Sequence, residues 1–105
     1  MLDGPLPYYR MTEGKKYQVY LLRNAAGRQY IGVSEDIVVR LGQHNAGEST
    51  WTAKYRPWRL VWCSEGMPLG EARKLENLLK RQKGGRGLQA LLERNGYFVE
   101  PAAGS

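Results

Sequence analysis

The sequence is poor in the residues that build cysteine-dependent sites. It contains one cysteine, Cys63, and one histidine, His44. A lone cysteine cannot form an internal disulfide, and this pair cannot supply the full set of Cys and His ligands that a zinc finger or zinc ribbon needs. Cys63 is therefore expected to pack within a strand.

Long apolar runs are also missing. No stretch approaches the roughly 20 residues of a membrane helix, and the N-terminus lacks the apolar core of a signal peptide. We therefore expect a cytoplasmic protein that does not bind membranes. With 105 residues, the chain can bury one modest core, which predicts a single compact domain.

Negative charge is outweighed by positive charge. There are 16 lysines and arginines against 10 aspartates and glutamates, giving a net charge of +6 and a pI near 9.7. Such an excess favours an anionic partner, most simply nucleic acid. Charge alone fits a merely soluble basic protein equally well, so the choice rests on motifs.

The first motif is a predicted β-hairpin. Side chains alternate between two faces along residues 17–22 and again along 28–33. The intervening stretch from Asn24 to Gly27 suits a type I turn that is closed by a left-handed glycine. This turn pairs Asn24 with Arg28 and so fixes the register of both strands.

The predicted register brings two tyrosines together. It sets Tyr20 opposite Gly32 and Leu22 opposite Tyr30, so that both tyrosines lie on one face, diagonal to each other. Because Gly32 has no side chain, it leaves room for a phenol ring or a ligand beside it.

A helix is predicted after the hairpin. Ser34 can cap it, and Glu35 and Asp36 would give its first turn the negative charge that suits the helix dipole. Arg40 and His44 are one turn apart at the edge of the apolar stripe, so they should project together beside the sheet.

Residues 47–57 form a polar, aromatic and basic segment that precedes a predicted third strand, residues 58–63. Such a segment can grip a nucleic-acid backbone and stack on exposed bases. The alternative is that Trp51 and Tyr55 simply close the edge of the core. In the third strand, Trp58, Leu60 and Trp62 are expected to line one face and fill the core.

A last long helix is predicted from Pro68 to Lys83, where Gly84 would end it. Glu76 lies on its apolar face, where an ionised carboxylate needs an arginine, a lysine or a metal ion as a partner. Arg40 is one candidate, and a purely structural salt bridge is the alternative to a metal site. Basic residues on the other faces are either solvated surface or a second track for phosphates.

Together these stretches resemble the GIY-YIG endonuclease family. Gln18-Val19-Tyr20 stands where the family has Gly-Ile-Tyr, and Tyr30-Ile31-Gly32 is its second signature unaltered. Arg40-Leu41-Gly42-Gln43-His44 matches the helix arginine with a partner four residues on. The resemblance covers residues 17–83 and implies a small stand-alone member with an α/β (α+β) fold. That fold is a three-stranded antiparallel sheet, made of the hairpin and the third strand, packed with helices.

The resemblance also implies an activity and a catalytic site. It implies a metal-dependent endonuclease that hydrolyses phosphodiester bonds in DNA, with branched, flap or single-stranded DNA in repair or recombination as candidate substrates. Glu76 would bind one Mg²⁺ or Mn²⁺, and Arg40 would hold a phosphate oxygen. Tyr30 is the expected general base, with Tyr20 positioning water or phosphate beside it and His44 as the rival base.

Several points stay open at this level. The alternatives are an inactive nucleic-acid-binding module and an RNA-directed nuclease, and without added domains a targeting partner protein is expected. The chain divides into a flexible lead-in (1–15), a nuclease-like domain (16–96) and a tail (97–105). The residues expected to contact nucleic acid outside the catalytic set are Arg28, Trp51, Lys54, Arg56, Arg73 and Lys80.

Overall fold

The computed structural model describes residues 14–83 and 85–99, and these ranges form a single mixed fold. The elements are β1 (Gln18–Arg23), β2 (Gln29–Ser34), α1 (Ile37–Asn45), α2 (Thr50–Ala53), β3 (Arg59–Ser64), α3 (Leu69–Lys80), α4 (Gly85–Asn95) and β4 (Gly96–Phe98). The strands build one sheet in the order β2-β1-β3-β4, with antiparallel pairing throughout. The α+β class is therefore confirmed. Most of the predicted lead-in lies outside the described residues.

The hairpin has the predicted turn and register. Gly27 has a φ of 87°, and its N–H donates to the Asn24 carbonyl at 3.0 Å, while the Asn24 N–H donates to Arg28. The Asn24 side-chain oxygen also accepts from the N–H groups of Ala26 and Arg28. These bonds stabilise the turn locally, and Tyr20 pairs with Gly32 as expected.

The third strand differs from the prediction because it contains a bulge. Successive residues of β1 pair with Trp62 and then with Leu60, so Val61 is left as the extra residue. The bulge breaks the alternation, and Trp62 packs in a different cluster from Leu60 and Trp58. The expectation that the three residues share one face is therefore wrong.

The two faces of the sheet carry separate hydrophobic clusters. One cluster joins the sheet to α3 and α4 through Val19, Leu21, Val61, Trp62, Ala72, Leu75, Leu79, Leu88 and Leu92. The other joins it to α1 through Tyr20, Leu22, Ile37 and Trp58. Tyr20 is thus part of a packed core layer, which fixes the position of its ring.

Both predicted helix starts move by a residue or two. The cap of α1 is Asp36, whose side chain accepts from the Val39 N–H at 3.1 Å. Ser34 instead closes a turn by accepting from the Asp36 N–H and donating to its carbonyl. Glu35 and Asp36 therefore precede the helix, which has no acidic residue in its first turn. Similarly, Pro68 caps α3 rather than beginning it.

The chain adds a fourth strand where a tail was predicted to begin. Tyr97 and Phe98 pair with Cys63 and Trp62 on β3. Gly96 permits this approach, because a Cβ at that position would lie 2.6 Å from the Trp62 ring. Cys63 lies in β3 as expected. Within residues 14–83 and 85–99, no helix is both long and apolar enough to cross a membrane.

Candidate active site

Tyr20 lies across Gly32 on the neighbouring strand. A Cβ added to Gly32 would lie 2.5 Å from the Tyr20 hydroxyl oxygen and 2.7 Å from its Cζ. No other residue leaves space for the phenol ring at this pair. The Tyr-Ile-Gly triplet of β2 therefore ends in glycine because Tyr20 of β1 occupies the space beside it, as the predicted register implied.

His44 is fully buried between two hydroxyl groups. Its Nε2 lies 2.9 Å from the Tyr20 hydroxyl and its Nδ1 lies 2.8 Å from the Thr52 hydroxyl. Thr52 is itself buried and lies 3.4 Å from the Ser49 carbonyl, to which it donates. We assign the tautomer in which Nδ1–H donates to Thr52 and Nε2 accepts from Tyr20, because this satisfies every donor in the chain.

The pKa values of this pair fit that assignment. Burial, and then the charge of Arg40, lower the pKa of His44 below its ordinary value of 6.5, so the imidazole is neutral at neutral pH. Burial and the neighbouring Tyr30 raise the pKa of Tyr20 to about 12, although Arg40 acts in the opposite direction. Tyr20 therefore carries its proton in the free protein and has a neutral acceptor beside it.

Tyr30 and Arg40 complete one side of the site. The Tyr30 ring lies edge-on to His44, with 4.8 Å between ring centroids, and 6.2 Å from the Tyr20 ring. Arg40 is half-buried, and its Nη1 donates to Gln43 at 2.8 Å. Arg40 lies one helical turn before His44 on α1, and its charge acts on the pKa values of both Tyr20 and His44. The fold therefore brings Tyr20, Tyr30 and His44 into contact, and Arg40 lies on the same helix as His44.

Glu76 is buried, with 6% of its surface exposed, and its charge is part of the environment of Tyr20. Its ion-pair partners are Arg73, at 3.0 Å from Oε1, and Lys80, at 3.0 Å from Oε2. The suggested partner Arg40 is not one of them. Positions three and four residues away on the same helix are the nearest neighbours of a helical side chain, which explains this outcome.

The site fits a divalent ion held by one carboxylate. Among residues 14–83 and 85–99, no three His, Cys, Asp or Glu side chains gather into a metal cage. Mg²⁺ usually keeps several waters and takes one or two carboxylates together with substrate phosphates. Glu76 is such a donor, and Arg73 and Lys80 neutralise its carboxylate in this structure. Because Arg73 and Lys80 are each more than half exposed, both can move aside.

The segment between α1 and β3 is held by side chains that sequence analysis missed. Asn45 accepts from the Trp58 N–H at 2.7 Å and donates to the Trp58 carbonyl at 3.0 Å. The Trp58 indole N–H donates to the Thr52 carbonyl at 2.8 Å. These bonds place Thr52 against His44. The only sequence signal for Thr52 was that a buried histidine needs a partner on each ring nitrogen.

The other residues that were predicted to contact nucleic acid differ in their exposure and packing. Trp51 is 42% exposed and lies stacked on Tyr30, with 6.2 Å between ring centroids. The Arg28 guanidinium lies 4.1 Å above the Tyr55 ring. Lys54 and Arg56 are exposed on the same segment. Trp51 also packs on Trp58, so its two suggested roles, closing the core edge and presenting a ring outward, are both structurally available.

Comparison with known proteins gives a consistent answer. Residues 16–89 match the family model for the GIY-YIG catalytic domain. The chain is 38% identical over 68 residues to a UPF0213 protein of Aeromonas salmonicida, covering 64% of this chain and 50% of the relative. It is 38% identical over 76 residues to a UPF0213 protein of Nitratidesulfovibrio vulgaris, covering 69% of each. A UPF0213 protein of Yersinia pestis is 35% identical over 66 residues.

These matches differ in how much of each relative they include. The chain spans about half the length of the two Aeromonas proteins that it matches. No solved structure matches the chain significantly.

Proposed function

The chain belongs to the GIY-YIG family, whose catalytic domain is that of a nuclease, and we propose that it is a divalent-metal-dependent endonuclease acting on DNA. The observation that carries the proposal is the single site formed by Tyr20, Tyr30, Arg40 and His44, with Glu76 in electrostatic reach. The net charge of +6 supports an anionic polymer as substrate.

Hydrolysis of a phosphodiester needs a deprotonated water, a cation for the developing charge and help for the leaving oxygen. Arg40 would hold a non-bridging phosphate oxygen, since its charge is permanent and its fork matches phosphate. Glu76 would hold Mg²⁺ or Mn²⁺, which when bound supplies the charge that polarises the phosphate and stabilises the leaving oxygen. Lys80 and Arg73 would then turn from Glu76 towards the backbone of the substrate.

Two routes are open for the proton of the attacking water. Tyr30, the base that the resemblance implied, would take it directly only as a phenolate, after losing its own proton to solvent. The arrangement of Tyr20 favours a relay, in which its hydroxyl oxygen accepts a proton from water while its own proton passes to Nε2 of His44. A neutral His44, whose Nε2 lies 2.9 Å from the Tyr20 hydroxyl, supports the relay, because it is a ready acceptor for the phenol proton.

The test is cleavage of single-stranded, duplex and branched DNA and of RNA, with Mg²⁺, Mn²⁺ or chelator, beside Glu76→Gln. We expect metal-dependent cutting that Glu76→Gln abolishes. Glu71→Gln is the matched control, because Glu71 is an exposed acid on the same helix with only a 3.9 Å contact to Lys74. Binding without cutting by the unaltered protein would contradict the enzyme and support a binding module.

Cleavage of RNA alone would contradict DNA as the substrate. A role in DNA repair, a cytoplasmic location and a targeting partner protein stay predictions.

A further inference from the structure

A groove of about 420 Å³ runs beside the active site, around the outer edge of β2. Its lining includes the apolar residues Ile31, Leu79 and Leu88 and the aromatic residues Tyr30 and Trp51. Tyr30 is therefore shared, because it packs edge-on to His44 and also lines the groove.

Trp51 packs against three aromatic rings and is still exposed. Its ring centroid lies 4.9 Å from that of Tyr55, 5.8 Å from that of Trp58 and 6.2 Å from that of Tyr30, while 42% of its surface remains exposed. Three neighbouring rings fix the orientation of the indole before any ligand arrives. A fixed aromatic surface of this kind is what a planar ligand needs, since little conformational entropy is lost on stacking.

Polar and charged groups also line the groove. Gln29 and Gln82 contribute amides, and Lys80 contributes an ammonium group. The Gln82 amide nitrogen donates to the Leu78 carbonyl at 3.1 Å, which fixes the amide beside the apolar residues of the groove. Amide groups can donate to and accept from the edge of a base, and the lysine has the charge to attract a phosphate.

We propose that this groove binds an unpaired nucleobase of the substrate strand, stacked on Trp51, next to the phosphate that is cleaved. The proposal rests on the nuclease function and adds to it the kind of substrate. A base inside a duplex is stacked on its neighbours and cannot enter a groove, so the strand must be single-stranded or the base must be turned out. The aromatic rings, the side-chain amides and the lysine that line the groove match a nucleotide better than an aliphatic peptide.

The experiment measures binding in chelator, so that no strand is cut. A labelled single-stranded oligonucleotide with 2-aminopurine at one position is compared with the same oligonucleotide carrying abasic sites, for the unaltered protein and for Trp51→Ala. Stacking of one base on an aromatic side chain corresponds to roughly 5- to 150-fold in Kd. We expect Trp51→Ala to weaken binding by that factor and to abolish the quenching of 2-aminopurine, whereas Trp51→Phe retains most of both.

The loss of binding caused by Trp51→Ala should depend on the presence of bases in the strand. With abasic sites, the unaltered protein and Trp51→Ala should bind with equal Kd values. Phe98→Ala is the matched control, because Phe98 is an aromatic residue of similar exposure, 46%, on the strand at the opposite edge of the sheet. It should leave binding and quenching unchanged, and the thermal midpoints of all variants should agree within a few degrees.

Two results overturn the proposal in distinguishable ways. If Trp51→Ala weakens binding to base-containing and abasic strands equally, or if 2-aminopurine is not quenched, the base site is refuted while the nuclease function stands. If the unaltered protein binds no nucleic acid at all, the nuclease function and the base site fail together.

Discussion

The hydrogen bond between His44 and Thr52 offers the sharpest test of the active-site geometry. Thr52→Val keeps the shape of the side chain and removes only the hydroxyl, which lies 2.8 Å from His44 Nδ1. Both residues are fully buried, so no water replaces the lost partner unless the packing changes. The ring would then be free to exchange tautomers, and Nε2 would no longer be held as an acceptor for Tyr20.

The magnitude follows from burial. A buried donor without a partner costs about 1–3 kcal/mol. For a domain of this size each kcal/mol lowers the midpoint of thermal unfolding by about 4–8 °C. We therefore expect the midpoint for Thr52→Val to fall by several degrees or more, with the fold retained. Because the relay needs an unprotonated Nε2 aimed at Tyr20, the rate of cleavage should fall by about 10-fold or more, within the usual contribution of general-base catalysis.

The assay uses the fact that the sequence has a single histidine. Nitrogen NMR of the imidazole reads the tautomer without assignment ambiguity, and calorimetry and cleavage kinetics supply the other two quantities. Thr50→Val is the control, since Thr50 is an exposed threonine of the same short helix. The reasoning is refuted if the tautomer and the cleavage rate of Thr52→Val equal those of the unaltered protein. Loss of stability alone would leave Thr52 a merely structural residue.

Two further predictions concern the same cluster. Because the pKa of folded His44 lies below 6.5, the unfolded chain binds a proton that the folded chain does not as pH falls below that value. Stability should therefore decrease as pH falls below about 6.5. Calorimetry at a series of pH values, together with the histidine NMR titration, checks this, and a flat profile would be the contrary result. Gly32→Ala would place a Cβ 2.5 Å from the Tyr20 hydroxyl oxygen. We therefore expect the free energy of unfolding to fall by about 1–3 kcal/mol from overpacking, measured by denaturant unfolding. We also expect a large loss of cleavage, measured by kinetics. Gly42→Ala is its control, since a Cβ there meets nothing within 4 Å, and equal behaviour of the two variants would contradict the assigned packing.

Features set by neighbouring residues could be predicted from the sequence. The turn from Asn24 to Gly27 fixes the hairpin register through bonds that span four residues or fewer, and that register alone brings the two tyrosines together. The spacing of Arg40 and His44 on one helix is likewise a local property. One local prediction was wrong, because Asp36 rather than Ser34 is the N-cap of α1.

Other features were decided only by contacts between distant segments. The partner of His44 is Thr52, which reaches it because Asn45 and Trp58 hold the intervening segment. The bulge at Val61 arises from pairing with β1, and no residue pattern within β3 predicts it.

The sequence by itself determined the register that joins the two tyrosines, because short-range turn and helix geometry leaves few alternatives, and its resemblance to the GIY-YIG family implied the fold class and the candidate site residues. The tertiary structure decided which groups neutralise Glu76, which hydroxyl orients His44 and that Trp51 remains open beside a groove. Each of these depends on how the packed layers meet, and periodicity along a chain carries no information about the distance between its remote parts.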